Sequence, residues 1–522
     1  MSYVKESRNI FDIMAVAYKM ICPFEPIISI AQDSELTNII MNFFEQSNRI
    51  RGLAEVKQKL IEWFCRYEND NISDMKKKLF FLVRLIDNKC VKAAVSSLPD
   101  SYIQYFSLNH LFQNEIIIVP RLKSYAVGLL SEAIAKEDGH GFYGRNYSAT
   151  ADISGYLHNF IIYRKSLIKP RINISNYHDE IKKEFEQKNY KLKVGVFPLS
   201  NLNLRCLFSI KEDIVDREGV FRVEDPDVIQ EQKLLERCIE ALKICRKHGV
   251  DIAVFPEMLF SKNMQNKIIE FVKENEGTEN RFPWFMWLGT IWADRENKCM
   301  VIDQYGKVVF EQKKFVPYKY KRESVQNIGE KVLCKGEQQG SVSEETGGED
   351  ILTIREDLSH EEDWVVNYLD IPCLFRIATA ICRDVSDDLL KDSVKQLCTD
   401  MMIIPAFSES DRLTNRNIDP LTLERIIVVA CNACSALCGN SRKKFEVTKE
   451  MLGTVHPFCY LCMPAKQEQD NLADYHQVKY TEACFNCENY CSGYLWEISF
   501  SECIKKNDSY LAPVVDLNCD PL

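Results

Sequence analysis

Several familiar signals are missing from this sequence. No uninterrupted apolar run in its 522 residues approaches the roughly 18 residues of a membrane-spanning helix. The first ten residues, MSYVKESRNI, are too polar for a secretory signal. These two absences predict a cytoplasmic protein with no membrane partner. Nor is there an excess of cations: 66 Lys+Arg face 76 Asp+Glu, which argues against a dedicated nucleic-acid binder, whose footprint is basic. No fixed-period repeat is visible, so solenoids and propellers are set aside.

Cysteine is plentiful, with 21 in the chain. In a reducing cytosol those thiols are expected to be free, metal-bound or catalytic, not disulfide-bonded. The length allows two or three domains. Residues 1–188 read as a helical domain of unknown role. Leu36, Ile39, Ile40, Phe43 and Phe44 form a one-sided apolar stripe, and Leu53, Val56, Leu60 and Phe64 repeat it. Such stripes are ordinary core faces unless something else marks them as partner grooves.

From residue 189 the pattern changes to alternating strands and helices. KLKVGVFPLS reads as a strand, and DVIQEQKLLERCIEALKICRKHG as an amphipathic helix with Leu235, Cys238, Leu242 and Cys245 on one face. Gly249 is placed to end that helix in a left-handed cap. VDIAVFPEML, WFMWLGTIWA and CMVIDQYGKVVFEQKK follow as strands, the last containing a turn at Gln304 to Gly306. A Gly-, Ser- and Glu-rich segment, about 336–362, has the composition of an acidic surface insertion. Beyond it VVNYLDIP, FRIATAICRD, DMMIIPAF and ERIIVVACN are four more strand-like runs. The fold class is α/β.

Three short motifs end apolar strands in a fixed order: FPEM around Glu257, FEQKKFVPY around Lys314, and AICRD around Cys382. Taken singly, each has a bland reading, as a loop carboxylate, a solvated lysine pair and a core thiol that behaves as a small hydrophobe. In this order they resemble the three catalytic motifs of the nitrilase, or carbon–nitrogen hydrolase, superfamily, over about residues 191–522. The resemblance implies a four-layer α-β-β-α sandwich, here preceded by an all-α N-terminal domain, and a homo-oligomer.

The resemblance also implies roles. Cys382 is the thiol nucleophile that forms an acyl-enzyme on a small amide or nitrile, and Glu257 is its general base. Lys314 is the cation near the oxyanion, and the backbone N–H of Arg383 is a second oxyanion donor. Family spacing favours Lys314, with Pro317 as the matching proline, while the choice against Lys313 stays open. Glu323 is the nearest candidate for the second glutamate that some members carry. No cofactor is implied for catalysis. Pro198 and Val316 replace residues common among relatives, and Glu424 is one position off the later family signature, so the motifs leave the substrate undefined.

Near the C-terminus, Cys459, Cys462, Cys484 and Cys487 form C-x2-C-x21-C-x2-C within the Cys-rich segment of about 456–491. The spacing matches a structural zinc site with four thiolates and no open position, and Cys491 is a spare ligand. Cys431 and Cys434 begin inside a strand-like run and read as core thiols. A second functional class remains beside the hydrolase. Nitrilase-like domains also occur beside unrelated modules in bacterial defence systems, so this part could be an oligomerisation or sensing scaffold whose helical domain binds a protein partner.

Overall fold

The computed structural model of the chain describes residues 6–21, 58, 79, 82–83, 86, 103–105, 107–113, 115–120, 157, 160–164, 168–175, 177–199, 208–215, 218–223, 228–277, 280–321, 353–358, 364–372, 374–397, 399–407, 421, 426–433, 459–464, 476–480, 493–500 and 514–516. The stripes at Leu36–Phe44 and Leu53–Phe64 lie outside the described residues. No helix among the described residues is long and apolar enough to cross a membrane.

The N-terminal region opens with helix α1 (Ile10–Ile21). It then forms strands β1 (Ile103–Tyr105), β2 (Ile116–Pro120), β3 (Phe160–Arg164) and β4 (Ile168–Ile174). The expected all-α domain is therefore corrected. The β-branched runs at Ile116–Val119 and Phe160–Ile162 suit a pleated backbone, which the search for helical stripes passed over. Strand β4 pairs in parallel with β14 (Trp364–Ile371), Ile168 lying opposite Trp364, so the motif-bearing sheet reaches N-terminal of residue 189.

Two large sheets organise the rest. One runs in the order β11 (Val308–Lys313), β10 (Glu296–Asp303), β9 (Phe285–Ala293), β8 (Ile252–Val254), β5 (Lys191–Val196), β20 (Tyr494–Ser499), β21 (Val514–Asp516). The other runs β1, β4, β14, β15 (Phe375–Thr379), β16 (Met401–Ala406), β17 (Ile427–Asn432), β18 (Cys459–Pro464), β19 (His476–Tyr480).

Side-chain alternation assigns the faces of the first sheet. Ile252, Val254, Phe285, Trp287, Cys299 and Val301 enter a core shared with Tyr368, Ile377 and Ile403 of the second sheet. Their neighbours Ala253, Met286, Leu288, Met300 and Ile302 point the other way, into a second core with helices α3 (Val228–His248) and α4 (Lys262–Glu274). Each fully buried aliphatic or aromatic side chain here contributes roughly 1.5–3 kcal/mol. Trp287 also ties the sheets by a polar contact, its Nε1 donating to Thr379 Oγ1 at 2.9 Å.

Helix α3 forms where the sequence places it. Leu235, Cys238, Leu242 and Cys245 are buried along α3, and Gly249, at φ +64°, ends it. Ser261 caps α4 by accepting from Met264 N at 3.1 Å. The strands expected from residue 191 onward are all present, including the hairpin that turns at Gly306.

A small third sheet runs β12 (Lys319–Lys321), β13 (Thr353–Glu356), β7 (Glu218–Val223), β6 (Phe208–Val215). Strand β13 falls inside the segment expected to be a surface insertion. That expectation is corrected for residues 353–358: β13 pairs in parallel with β7 and antiparallel with β12, and its last residue, Glu356, is buried.

Candidate active site

Glu257, Lys314 and Cys382 each follow the end of a strand, and all three are buried. After β8 the chain turns through Pro256. Glu257 N donates to Ala406 O at 3.3 Å, and Met258 N to Thr290 Oγ1 at 2.8 Å, with Met258 at φ +61°. The turn lies flat against β9 only because residue 289 is glycine. A Cβ there would sit 2.4 Å from Pro256 O and 2.5 Å from the Phe260 ring, and its φ is +44°.

Lys314 leaves the end of β11 pointing inward, with its side chain wholly buried. Its Nζ donates to Glu257 Oε1 at 2.8 Å and to Glu356 Oε2 at 2.7 Å. Lys313 takes the opposite direction, as strand alternation requires: its side chain is 43% exposed and reaches Glu296 Oε1 at 2.5 Å. Lys314 is thus the lysine against Glu257. Glu323, the sequence candidate for a second carboxylate, lies outside the described residues. Glu356 is the carboxylate beside the ammonium, and it also accepts from Tyr318 N at 3.1 Å.

Cys382 opens a short 3-10 turn, Cys382–Ser386, immediately beyond β15. Its φ of +44° is costly for a residue with a Cβ, and such strain concentrates at functional turns. The thiol donates to Phe407 O at 3.8 Å. Asp384 holds the turn to the lysine segment. It accepts from Ile381 N at 3.2 Å, Phe315 N at 3.1 Å and Val316 N at 2.8 Å. Burial pushes the Asp384 carboxyl up to about 8, against the lowering effect of the Val316 N–H and the Lys314 charge. Arg383 follows the cysteine with an exposed side chain, its guanidinium 5.9 Å from the Tyr318 ring centre.

One ammonium therefore serves two buried carboxylates. Burial pushes Glu257 up, Lys314 pulls it down, and Glu356 raises it again. Burial alone would lower Lys314, but the two glutamates hold it firmly charged. Burial and then the Glu257 charge push the Cys382 thiol well up, with Lys314 opposing, so the resting sulfur keeps its proton. Glu257 Oε1 is occupied by Lys314 Nζ and by Asn297 Nδ2, each at 2.8 Å. Its Oε2 is buried and has no hydrogen-bond donor among the described residues. Interaction with the nearby Cys382 thiol lowers the carboxyl and raises the thiol.

Two residues here escaped the sequence reading. Glu356 lay in a segment whose composition looked superficial. Asn297 precedes the run from Cys299 that the sequence marks as a strand; in the fold that strand begins at Glu296, and Asn297 shares the buried face of Cys299 and Val301, where a polar side chain is a signal in itself. Of the four cysteines proposed to hold zinc, Cys459 and Cys462 lie on β18, where Cys459 is paired with Cys431, while Cys484 and Cys487 are outside the described residues. Cys431 is a buried core thiol, as its strand context suggested. Among the described residues no group of three or more His, Cys, Asp or Glu side chains is arranged to hold a metal ion.

No family model and no curated protein matches the chain. Among solved structures it is similar to Nit3 of Saccharomyces cerevisiae, a member of branch 10 of the nitrilase superfamily, at 14% identity over 47% of this chain and 76% of that one, with a TM-score of 0.28. An amidase from Nesterenkonia sp. matches over the same shares at 9% identity and a TM-score of 0.28. A glutamine-dependent NAD+ synthetase from Acinetobacter baumannii matches over 60% of this chain and 46% of that one, at 11% identity and a TM-score of 0.32. The global overlap is small. Solved structures similar to this chain thus include members of the superfamily whose motifs its sequence resembles.

Proposed function

We propose that the protein is a carbon–nitrogen hydrolase of the amidase or nitrilase type, acting on a small amide or nitrile through Cys382. One observation carries the reading: a fully buried carboxylate, Glu257, has one oxygen pinned by Lys314 and Asn297 and the other unengaged, beside a thiol on a strained turn. A core packed only for stability leaves few buried acceptors unpaired.

The chemistry follows from these positions. As an amide carbonyl carbon approaches, Sγ of Cys382 forms the new bond and its proton passes to Glu257 Oε2. The carbonyl electrons move to oxygen, and the resulting anion is met by the Lys314 ammonium and the Arg383 backbone N–H. Collapse of the intermediate breaks the C–N bond. Glu257 returns the proton to the leaving nitrogen, which departs as ammonia or an amine. Water then attacks the thioester, giving its proton to the same carboxylate, and the acid leaves with the thiol restored. Glu356 keeps Lys314 charged throughout, because a cation between two carboxylates is hard to deprotonate. The two facing sheets with α3 and α4 outside one of them support reading the fold as the four-layer sandwich.

Release of ammonia from a panel of small aliphatic amides and nitriles tests the proposal. Turnover that Cys382→Ala abolishes, with the melting transition preserved, is the expected result. Equal turnover by the wild type and that variant would remove Cys382 from the reaction.

A further inference from the structure

Asn297 occupies an unusual position. It is buried near the start of β10, just beyond a two-residue turn in which Asp294 and Arg295 have φ of +51° and +62°, the hairpin geometry that matches strand twist. Its Nδ2 donates to Glu257 Oε1 at 2.8 Å and to Glu356 Oε1 at 3.1 Å. Its backbone carbonyl accepts from Lys314 N at 2.8 Å. One residue thus touches all three charged members of the site. The same hairpin reaches past the site: Arg295 Nε donates to Asp357 Oδ1 at 3.0 Å, fixing the residue next to Glu356.

This arrangement solves a problem that Lys314 alone leaves. A single ammonium attracts two carboxylates but does not choose their rotation, since a point charge has no fixed donor directions. An amide with two N–H vectors in one plane does. By holding Oε1 of both glutamates, Asn297 fixes the rotation of each carboxylate and leaves Oε2 of Glu257 as the unengaged oxygen.

We infer that Asn297 is a positioning residue for Cys382 chemistry: its side-chain amide clamps Glu257 and Glu356 about Lys314 so that Glu257 presents its free oxygen to the thiol. The inference rests on the proposed role of Glu257 as base. It assigns no contact between Asn297 and substrate.

The test is the pH dependence of Cys382 alkylation by chloroacetamide, read by intact mass, in the wild type and in Asn297→Leu and Asn297→Asp. Leucine keeps the approximate volume without the donor. Aspartate keeps the shape but adds a third carboxylate to those of Glu257 and Glu356, with Lys314 the cation facing them and Cys382 the thiol.

The limiting alkylation rate of Asn297→Leu is expected to fall roughly 10–100-fold, the worth of the lost hydrogen bond to the charged Glu257, with half-saturating reagent unchanged. The acidic limb of its profile is expected at higher pH, because a carboxylate that loses a donor is harder to ionise. Asn297→Asp is expected to lose at least as much. Should Asn297→Leu fail to fold, Asn297→Asp still decides the matter. Wild-type rates and an unmoved acidic limb in either folded variant would overturn the inference. A wild type that is not alkylated at Cys382 would instead overturn the proposed function.

Discussion

Two clusters of opposite charges, one part-buried and one fully buried, are built to different rules. One joins Glu184 and Lys188, at the helix α2 (His178–Gln187), with Asp251 and Arg281. There two cations meet two carboxylates, and every carboxylate oxygen is taken. Arg281 Nη2 and Lys188 Nζ reach Asp251 Oδ1, and Lys193 N donates to Asp251 Oδ2 at 2.8 Å. Arg281 Nε and Trp284 Nε1 donate to Glu184 Oε2, each at 2.8 Å. The other cluster has one ammonium, two carboxylates and an oxygen left over. The saturated network fixes α2 to the sheet, whereas the other leaves one oxygen without a donor among the described residues, where the proposed base would take up its proton.

Breaking each cluster should therefore fail differently. The largest effect is expected in the unsaturated one. Glu257→Gln removes the proton acceptor at nearly constant shape, so chloroacetamide labelling of Cys382 should slow by about 100-fold or more, the usual worth of a positioned base, while the melting temperature stays near that of the wild type. In the saturated cluster Arg281→Met should leave labelling of the folded protein unchanged and cost about 3–5 kcal/mol in denaturant unfolding, because Asp251 is left buried with one of its two cations.

A smaller effect separates the clusters by pH. Burial would raise Glu184, but the bond and charge of Arg281, with help from Lys188 and Trp284, outweigh it and hold the carboxyl at about 2. A carboxyl depressed in the folded state adds stability that is present above its ordinary value of 4.5 and fades as pH falls toward 2. Melting temperatures of the wild type should drop through that window more steeply than those of Glu184→Gln. Smallest in its consequence for catalysis is the proposed zinc site. Metal analysis of purified protein should find near-stoichiometric zinc, reduced by Cys484→Ser, and metal-free folded protein would remove the site.

The strands β5, β8–β11 and β14–β17 and the helix α3 were legible because each is a strong local pattern. The apolar stripe of α3 and the runs ending at Glu257, Lys314 and Cys382 needed no tertiary information. The distinction between Lys313 and Lys314 was partly legible, since alternation lets only one face inward, but which one does so depends on how β11 meets its neighbours. Glu356 was hidden for a different reason. Its strand is made by pairing with β7, more than a hundred residues earlier, and composition carries no trace of such a long-range partner. Asn297 acquires meaning only when two carboxylates arrive from elsewhere in the chain. The strands before residue 175 are short β-branched runs in a region whose longer apolar stripes have helical spacing, so their local signal is weak beside it.

The most direct test of the central claim is intact-mass and peptide mapping after brief exposure of the native protein to chloroacetamide. A single adduct on Cys382, absent in Cys382→Ala and slowed in Glu257→Gln and Lys314→Ala, is the predicted result. Adducts spread over several cysteines at similar rates, or a Cys382 that reacts no slower without its neighbours than with them, would contradict it.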